Sequence, residues 1–183
     1  AIPVSALTGD NIAARSNAAP WYKGPSLLDV LEYVEIDEER RANGPFRMPV
    51  QWVNRPNQDF RGFSGLIAGG RVKPGDRIRV TPSGRMSTVA RIVTKDGDLS
   101  EAIAGQAVTL TLAEEIDCSR GDVISGADAP AESADQFEAT IIWMADERLL
   151  PGRSYLFKLA AKTVTAQITD IKYKINVNTL ERL

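Results

Sequence analysis

The stretch of sequence that decides the fold is residues 54–76, NRPNQDFRGFSGLIAGGRVKPGD. A polar, proline-containing link leads into a strand-like run at residues 64–68. The double glycine Gly69-Gly70 predicts a bend, because glycine adopts backbone conformations that other residues avoid. The sequence Pro74-Gly75-Asp76 then predicts a tight turn. The pattern is therefore a strand, a bend, a short strand and a turn.

Further strands are predicted on both sides of this stretch, because apolar residues recur with a period of two. Phe46, Met48, Val50 and Trp52 alternate with polar or proline positions, so we expect all four on one buried face. The sequence Asp96-Gly97-Asp98 predicts a hairpin. The strand-like runs are residues 46–52, 64–68, 77–80, 87–94, 107–112 and 119–124. Short strands at regular spacing, separated by turn signals, predict a small closed barrel.

The rest of the chain divides around this barrel. Residues 1–44 are predicted to form a loop and one helix at 25–39, with proline at its first position and an apolar stripe at helical spacing. The run 37–44 is the expected link into the barrel of residues 45–126. A linker rich in Gly, Ala, Pro and Ser at 127–134 precedes a second, partial barrel at 135–183. Its expected strands are 136–144, 154–158 and 163–173. The predicted fold class is mainly β.

Composition restricts the classes of function. The chain has 183 residues, 43% of them hydrophobic and 25% charged, with a formal net charge of −2. This charge gives no overall field that would favour nucleic acid or an anionic membrane. No apolar run approaches the ~20 residues that a membrane-spanning helix needs. The single cysteine, Cys118, excludes an intrachain disulfide, and it fits a reducing, cytoplasmic location.

The sequence offers no catalytic constellation. It contains no histidine, which removes the commonest general base and metal ligand, and no paired ligands predict a metal site. Neither a phosphate-binding loop nor an Asn-Lys-x-Asp motif is present, so we expect no GTP binding or hydrolysis by this chain. Cys118 is predicted to be a buried, inert thiol, because no histidine can activate it.

Six basic residues are concentrated in the barrel hairpins: Arg71, Lys73, Arg77, Arg79, Arg85 and Arg91. The favoured interpretation is a solvated strand face that is balanced by Asp76, Asp96 and Asp98. The alternative is a contact surface for a partner or another domain. RNA is a weaker alternative, because no aromatic residues alternate with these arginines to stack bases. Phe60 and Phe63 beside Arg61 are the nearest candidates, and packing is their expected role.

The quoted stretch also resembles a known family. A glycine-containing strand followed by G-x-V and the K-P-G-D turn is similar to the second-domain barrel of translation-factor-like GTPases. Within that superfamily, RPNQDFRGFSG most resembles the large, GTP-hydrolysing subunit of sulfate adenylyltransferase. AIAGQAVTLTL with SRGDVI, and PGRSYLFKLAAKTVTAQITDIKY with KINVNTLERL, extend this resemblance through residues 102–124 and 151–183.

The resemblance implies a function through coupling. It makes the chain part of a parent enzyme that converts ATP and sulfate to adenosine 5'-phosphosulfate and pyrophosphate, driven by GTP hydrolysis. The implied partners are the small subunit, which carries the catalytic site, and the parent's own GTPase domain with GTP and Mg. Ser5-Ala6-Leu7 resembles the last guanine-recognition loop, whose small residues let backbone amides approach the base. The chain itself is expected to be inactive and to bind no cofactor.

The resemblance also implies that the third domain lacks its last strands. Open strand edges pair readily with another chain, so we expect either self-association or partial disorder there. Two other classes stay open. An elongation-type translation GTPase would use the second barrel to bind tRNA. A free-standing scaffold barrel would need residues before Phe46 to form a self-sufficient element.

Overall fold

The computed structural model describes residues 1–34, 38–176 and 181–182. Contacts divide the chain into two compact units, residues 1–38 and 39–183. The first unit consists of loops and one helix, and the second contains the β-structure.

The first unit has one short helix, α1 (Leu27–Tyr33), whose start is fixed by a capping box. The Ser26 hydroxyl accepts a hydrogen bond from the Asp29 amide at 3.2 Å, and the Ser26 amide donates to Asp29 Oδ2 at 2.9 Å. These bonds satisfy amides that a helix start leaves unpaired. The Leu27 and Leu28 amides donate to the Asn11 and Ile12 carbonyls, both at 2.9 Å, so the loop is held against the helix start.

The predicted helix 25–39 was wrong at both ends. Pro25 lies before the cap and not in the first turn, because Ser26 provides the capping oxygen. At the other end Val34 adopts an extended conformation, with φ −64° and ψ 121°, which stops the helix. Residues 35–37 of the prediction lie outside the described ranges. A second helix, α2 (Glu38–Asn43), occupies the run that was predicted as a linker.

After α2, the second unit contains ten short strands that form the barrel. They are β1 (Arg47–Pro49), β2 (Trp52–Asn54), β3 (Gly62–Leu66), β4 (Arg71–Val72), β5 (Arg77–Thr81), β6 (Met86–Thr94), β7 (Gly97–Leu99), β8 (Ala102–Ile103), β9 (Ala107–Leu112) and β10 (Val123–Gly126). The main sheet runs in the order β1-β10-β5-β6-β9-β3-β2, and all of its pairings are antiparallel.

The barrel closes because its first two strands lie at opposite ends of the sheet order while being neighbours in the chain. Between them, the Val50 amide donates to the Asp122 carbonyl at 2.8 Å, and the Gln51 amide donates to the Ser64 carbonyl at 2.9 Å. The segment that joins β1 to β2 is therefore bonded to the residue before β10 and to β3, which are the neighbours of the two end strands. Closure satisfies the backbone groups that an open edge would leave unpaired.

Apolar side chains from nearly every strand fill the barrel. The fully buried members are Met48, Val50, Ile67, Val72, Ile78, Val80, Val89, Ile92, Leu110 and Ile124, with Phe63 almost completely buried. The alternation in residues 46–50 therefore predicted the buried face correctly. The prediction for Trp52 was wrong, because its side chain is exposed. β1 ends at Pro49 and β2 begins at Trp52, and this break between the strands shifts the alternation of buried and exposed residues.

The bend after β3 depends on one glycine of the predicted pair. Gly70 has φ +73°, whereas Gly69 has no positive φ. A Cβ added at Gly70 would lie 2.4 Å from the Phe46 amide nitrogen. The bend therefore requires glycine at Gly70 for its conformation and for the close approach of β1. The following turn forms as predicted, with Asp76 Oδ2 accepting from the Lys73 amide at 2.8 Å.

The region beyond the barrel is much less regular. β11 (Ser154–Leu159) and β12 (Lys162–Gln167) form a two-stranded antiparallel sheet. Residues 136–144, predicted as a strand, form none, and the strand predicted at 163–173 ends at Gln167. Residues 136–144 contact the hairpin through side chains instead: the Phe137 and Phe157 ring centroids lie 5.4 Å apart. No helix in the described ranges is long and apolar enough to cross a bilayer.

Candidate functional site

The loop that contains Ser5, Ala6 and Leu7 is a closed turn. Ser5 and Asp10 form an isolated antiparallel bridge, and the Gly9 amide donates to the Ser5 carbonyl at 2.9 Å. The Ser5 and Thr8 hydroxyl oxygens lie 2.7 Å apart. Ala6 and Leu7 therefore lie at the tip, and Leu7 is almost completely exposed. Within the described part of the chain, neither of their backbone amides has a hydrogen-bond partner.

Asp10 organises this loop from within. Its carboxylate accepts hydrogen bonds from the Ser16 and Thr8 hydroxyls, which together hold the pKa of Asp10 below its usual range. The Asn11 side chain adds a bond to the Pro3 carbonyl at 2.8 Å and accepts from the Ser16 amide at 2.7 Å. The tip is thus supported by bonds within residues 1–38. It exposes the backbone amides of Ala6 and Leu7.

The six basic residues of the barrel separate into a paired and an unpaired set. Arg71 and Lys73 both lie near Glu101, with nitrogen–oxygen distances of 3.4 and 3.7 Å. Arg91 makes a bidentate contact with Asp98, at 2.6 and 3.0 Å. This contact raises the pKa of Arg91 and lowers the pKa of Asp98. These three basic residues therefore have carboxylate partners, as expected. The partner of Arg71 and Lys73 is Glu101, which was not among the three predicted aspartates.

Arg77, Arg79 and Arg85 have no ion-pair partner among the residues that the structure describes. Arg77 and Arg79 are two residues apart on β5, and both are exposed, so they share the outward face. Asp76 forms no ion pair with them in the described part of the chain, and its carboxylate accepts from the Lys73 amide. The outward face of β5, defined by Arg77 and Arg79, therefore carries two guanidinium groups without ion pairs. Sequence reasoning missed this division, because the pairings depend on cross-strand neighbours.

The other predicted residues take structural roles. Cys118 is 2% exposed. Burial, with a contribution from the nearby Asp122, raises the pKa of its thiol to about 12. The prediction that Cys118 is buried is confirmed, and the raised pKa leaves little thiolate near neutral pH. Phe63 packs in the core, and Phe60 is partly buried.

The barrels define the class of protein. Residues 64–125 match the family model for elongation factor Tu domain 2, and residues 136–183 match the model for the GTP-eEF1A C-terminal domain-like family. Among solved structures, Sup35 complexed with GMPPNP superposes with a TM-score of 0.67 and 26% identity, over 99% of this chain and 44% of that one. The apo form of translation elongation factor SelB from Methanococcus maripaludis has a TM-score of 0.64 at 23% identity, over 77% of this chain and 31% of that one. The chain thus carries translation-factor-type β-barrel domains.

More similar relatives specify the branch. Sulfate adenylyltransferase subunit 1 of Aliivibrio salmonicida is 54% identical over 98% of this chain, which corresponds to 37% of that protein. Subunit 1 of Vibrio cholerae is 52% identical over 98% of this chain and 37% of its own length. The chain is therefore a homologue of sulfate adenylyltransferase subunit 1, as its sequence predicted. It spans a little over a third of the length of these curated relatives.

Proposed function

We propose that this chain provides the barrel domains of a sulfate adenylyltransferase large subunit and that these domains couple a GTPase domain to a catalytic small subunit. The observation that carries the proposal is the 54% identity to a named subunit 1 over 98% of the chain. The parent would form adenosine 5'-phosphosulfate and pyrophosphate from ATP and sulfate, driven by GTP hydrolysis, in the cytoplasm. The chain alone has no phosphate-binding loop, so its contribution is contact and coupling.

Ser5, Ala6 and Leu7 would serve the nucleotide only in the intact parent. Their loop presents the unpartnered amides of Ala6 and Leu7 at an exposed tip, supported from below by Asp10. Backbone amides at such a tip could donate to the carbonyl oxygen of guanine, while small side chains allow the approach. GTP and Mg would be bound by the parent's GTPase domain, and the phosphate contacts would come from that domain.

The outward face of β5 is the surface on the barrel that best fits a protein partner. Arg77 and Arg79 are exposed and lack ion pairs within the described residues. Met86, which is opposite Arg79 on β6, is also exposed. Arginine and methionine are enriched in protein–protein interfaces, and unpaired guanidinium groups can form bidentate contacts with carboxylates. A partner with acidic residues at this position would complement the surface.

The test is a binding titration of the purified chain against the small subunit of sulfate adenylyltransferase. We expect saturable binding, and we expect the double variant Arg77→Gln/Arg79→Gln to weaken it about tenfold, or about 1.4 kcal/mol. The matched control is Arg91→Gln, which removes the same kind of charge from a site that Asp98 already neutralises. Absence of any binding would remove these barrels from the interface, and equal affinity of all variants would exclude the β5 face.

A second candidate function is RNA binding, as in an elongation-type GTPase, because residues 64–125 match the family model for elongation factor Tu domain 2. The exposed charges on β5 could also contact phosphates. In that case affinity for tRNA would fall steeply with salt, because phosphate contacts release counterions. Gel shifts with tRNA at physiological salt separate the two functions: retention of tRNA without the small subunit would favour translation. Binding of neither partner would favour a free-standing scaffold.

Self-association through the C-terminal hairpin is a further part of the proposal. β11 and β12 pair only with each other, so each has one margin without a strand neighbour among the described residues. Such margins can pair with a second copy. Light scattering coupled to size-exclusion chromatography should show a concentration-dependent dimer. A monomer at all concentrations would argue against self-association.

A further inference from the structure

A polar recess of about 260 Å³ lies beside the barrel and is lined by Arg61, Arg85, Glu115, Ile116 and Asp117. The strand order explains why these residues meet. β9 lies between β6 and β3 and is antiparallel to both. Arg61 immediately precedes β3, Arg85 immediately precedes β6, and residues 115–117 follow β9. The first residues of β3 and β6 and the last residues of β9 therefore lie side by side, at the same end of these three neighbouring strands.

Arg61 lacks the acceptors that a mostly buried guanidinium group needs. Its side chain is 23% exposed, and its nearest carboxylate oxygen, Glu115 Oε1, lies 3.9 Å from Nη1, which is too far for a hydrogen bond. The Nε atom is buried without any hydrogen-bond partner among the described residues. Its Cζ atom lies 5.4 Å from the Phe63 ring centroid, so one side is apolar. A buried donor without an acceptor is destabilising, and such groups in proteins usually have a bound partner.

The charges around the recess favour an anion. Glu115 is already held by Arg55, whose Nη2 lies 3.0 Å from the same Oε1. Arg85 has no ion-pair partner in the described part of the chain. With Arg55 included, three guanidinium groups lie near the two carboxylates of Glu115 and Asp117, and Arg61 and Arg85 keep donors without a partner. Guanidinium groups match the geometry of a carboxylate, sulfate or phosphate group through paired N–H donors.

We propose that this recess binds one oxyanion group, held by Arg61 and Arg85. The Arg61 Nη–H groups and the exposed Arg85 guanidinium would supply the donors, while Phe63 restricts the position of Arg61. The anion would come either from free inorganic sulfate or phosphate or from the carboxylate of an Asp or Glu on a partner. Asp117 also lines the recess, and its negative charge would repel the anion and weaken its binding.

The experiment follows the Arg Nε–H resonances of the whole chain by NMR while sodium sulfate, sodium phosphate or sodium acetate replaces sodium chloride at constant ionic strength. We expect the Arg61 Nε–H resonance to shift saturably with at least one of these anions. Arg85→Gln should weaken binding about tenfold, and because Arg85 is exposed this change should not affect folding. Asp117→Asn should strengthen binding, since it removes an opposing charge.

Two arginine-to-lysine variants provide the matched comparison. Arg61→Lys keeps the charge and removes the paired N–H donors of the guanidinium group, so it should weaken binding, as measured from neighbouring amide shifts. Arg91→Lys makes the same change at an arginine whose guanidinium group already donates to Asp98. This variant should have no effect on anion binding. Equal, non-saturating shifts with every anion, or unchanged affinity after both Arg61→Lys and Arg85→Gln, would overturn the proposal. Preference for sulfate or phosphate would indicate a free ion, and preference for acetate a partner's carboxylate.

Discussion

The barrel and the region that follows it have the same kind of sequence pattern but differ in how far their apolar side chains are buried. Both alternate apolar and polar residues, yet Leu110 in the barrel is 0% exposed, whereas Leu156 on β11 is 81% exposed and Met144 is 90% exposed. The barrel strands are paired into a sheet that closes on itself, while β11 and β12 pair only with each other. Alternation therefore determines which side chains share a face. Burial also requires a second layer or a closed sheet.

The largest difference is expected from alanine at two positive-φ glycines, one in each region. Gly70→Ala places a Cβ 2.4 Å from the backbone of Phe46, and we expect a loss of about 4 kcal/mol or more in unfolding free energy. Gly152→Ala has φ +78° but nothing within 4 Å of the new Cβ, so conformational strain alone should cost about 1 kcal/mol. Urea denaturation followed by circular dichroism measures both. Equal losses would show that the close approach at Gly70 is relaxed by movement of β1.

A second pair of variants compares the two apolar faces. Leu110→Ala removes a fully buried side chain and should reduce the unfolding free energy by about 3 kcal/mol, through lost burial and a cavity. Leu156→Ala removes an exposed side chain and should change it by less than about 0.5 kcal/mol. The denaturant midpoints of the two variants measure the contrast. A large effect of Leu156→Ala would mean that this face is covered in solution, by a second copy or another segment.

The junction between the regions provides a smaller test. The Arg47 guanidinium donates to the Ala129 carbonyl at 2.6 Å and to the Pro130 carbonyl at 3.2 Å. Arg47→Ala should cost about 1–2 kcal/mol and should expose residues 127–135 to proteolysis. The control is Arg153→Ala, which removes a surface contact with Glu147 at 3.3 Å and a contact with the Tyr155 ring at 5.9 Å, and it should leave the cleavage rate unchanged. Slow cleavage in both variants would show that other bonds hold the junction.

The smallest expected effects are those of pH on stability. The barrel should lose stability at acidic pH, and the region that follows it should lose stability at alkaline pH. The Ser87 hydroxyl and the Thr88 amide lower the pKa of Glu114 below 4.5. This contribution to stability is therefore present above pH 4.5 and is lost as the pH falls through the lowered value. A hydrogen bond to Glu138 raises the pKa of Lys172 above 10.5. That contribution is present below pH 10.5 and is lost as the pH rises through the raised value.

Hydrogen exchange of the two regions against pH measures this contrast. Glu114→Gln should flatten the acid response of the barrel without changing residues 138–172, and Lys172→Met should flatten the alkaline response of residues 138–172 without changing the barrel. A response of both regions to either variant would indicate that they unfold together.

The barrel could be predicted from sequence because its signals are local. Alternation at Phe46, Met48 and Val50, together with the glycine bend and the Pro74-Gly75-Asp76 turn, specifies strands and reversals without knowledge of the partners. Trp52 was misplaced because a break between β1 and β2 changes the phase, and an uninterrupted pattern does not reveal such a break. Residues 136–144 have a strand-like pattern, but a strand exists only where a neighbour accepts its hydrogen bonds.

The candidate sites were less predictable, because they depend on pairing across the sheet. Arg91 and Asp98 meet through the β6–β7 hairpin, whereas Arg61 and Arg85 meet only because β9 lies between β3 and β6. One weak sequence signal was available: Arg61 and Arg85 lie three and two residues before the predicted strands 64–68 and 87–94. The Ser5-Ala6-Leu7 assignment stays a prediction, because its proposed ligand would be held mainly by residues outside this chain.

The bonds at the junction also define where the barrel can be cut or joined to something else. Besides the two Arg47 bonds, the Thr81 hydroxyl donates to the Ala131 carbonyl at 3.1 Å, and the Ala131 amide donates to the Ser125 hydroxyl at 3.1 Å. Residues 127–131 are thus a strap that belongs to the barrel, although their composition is that of a flexible tether. Only residues 132–135 remain as free tether, with a reach of about 14 Å when fully extended. A fusion or an inserted spacer should therefore be placed after Ala131. A spacer inserted at Gly126 would separate residues 127–131 from the barrel residues to which they are hydrogen-bonded.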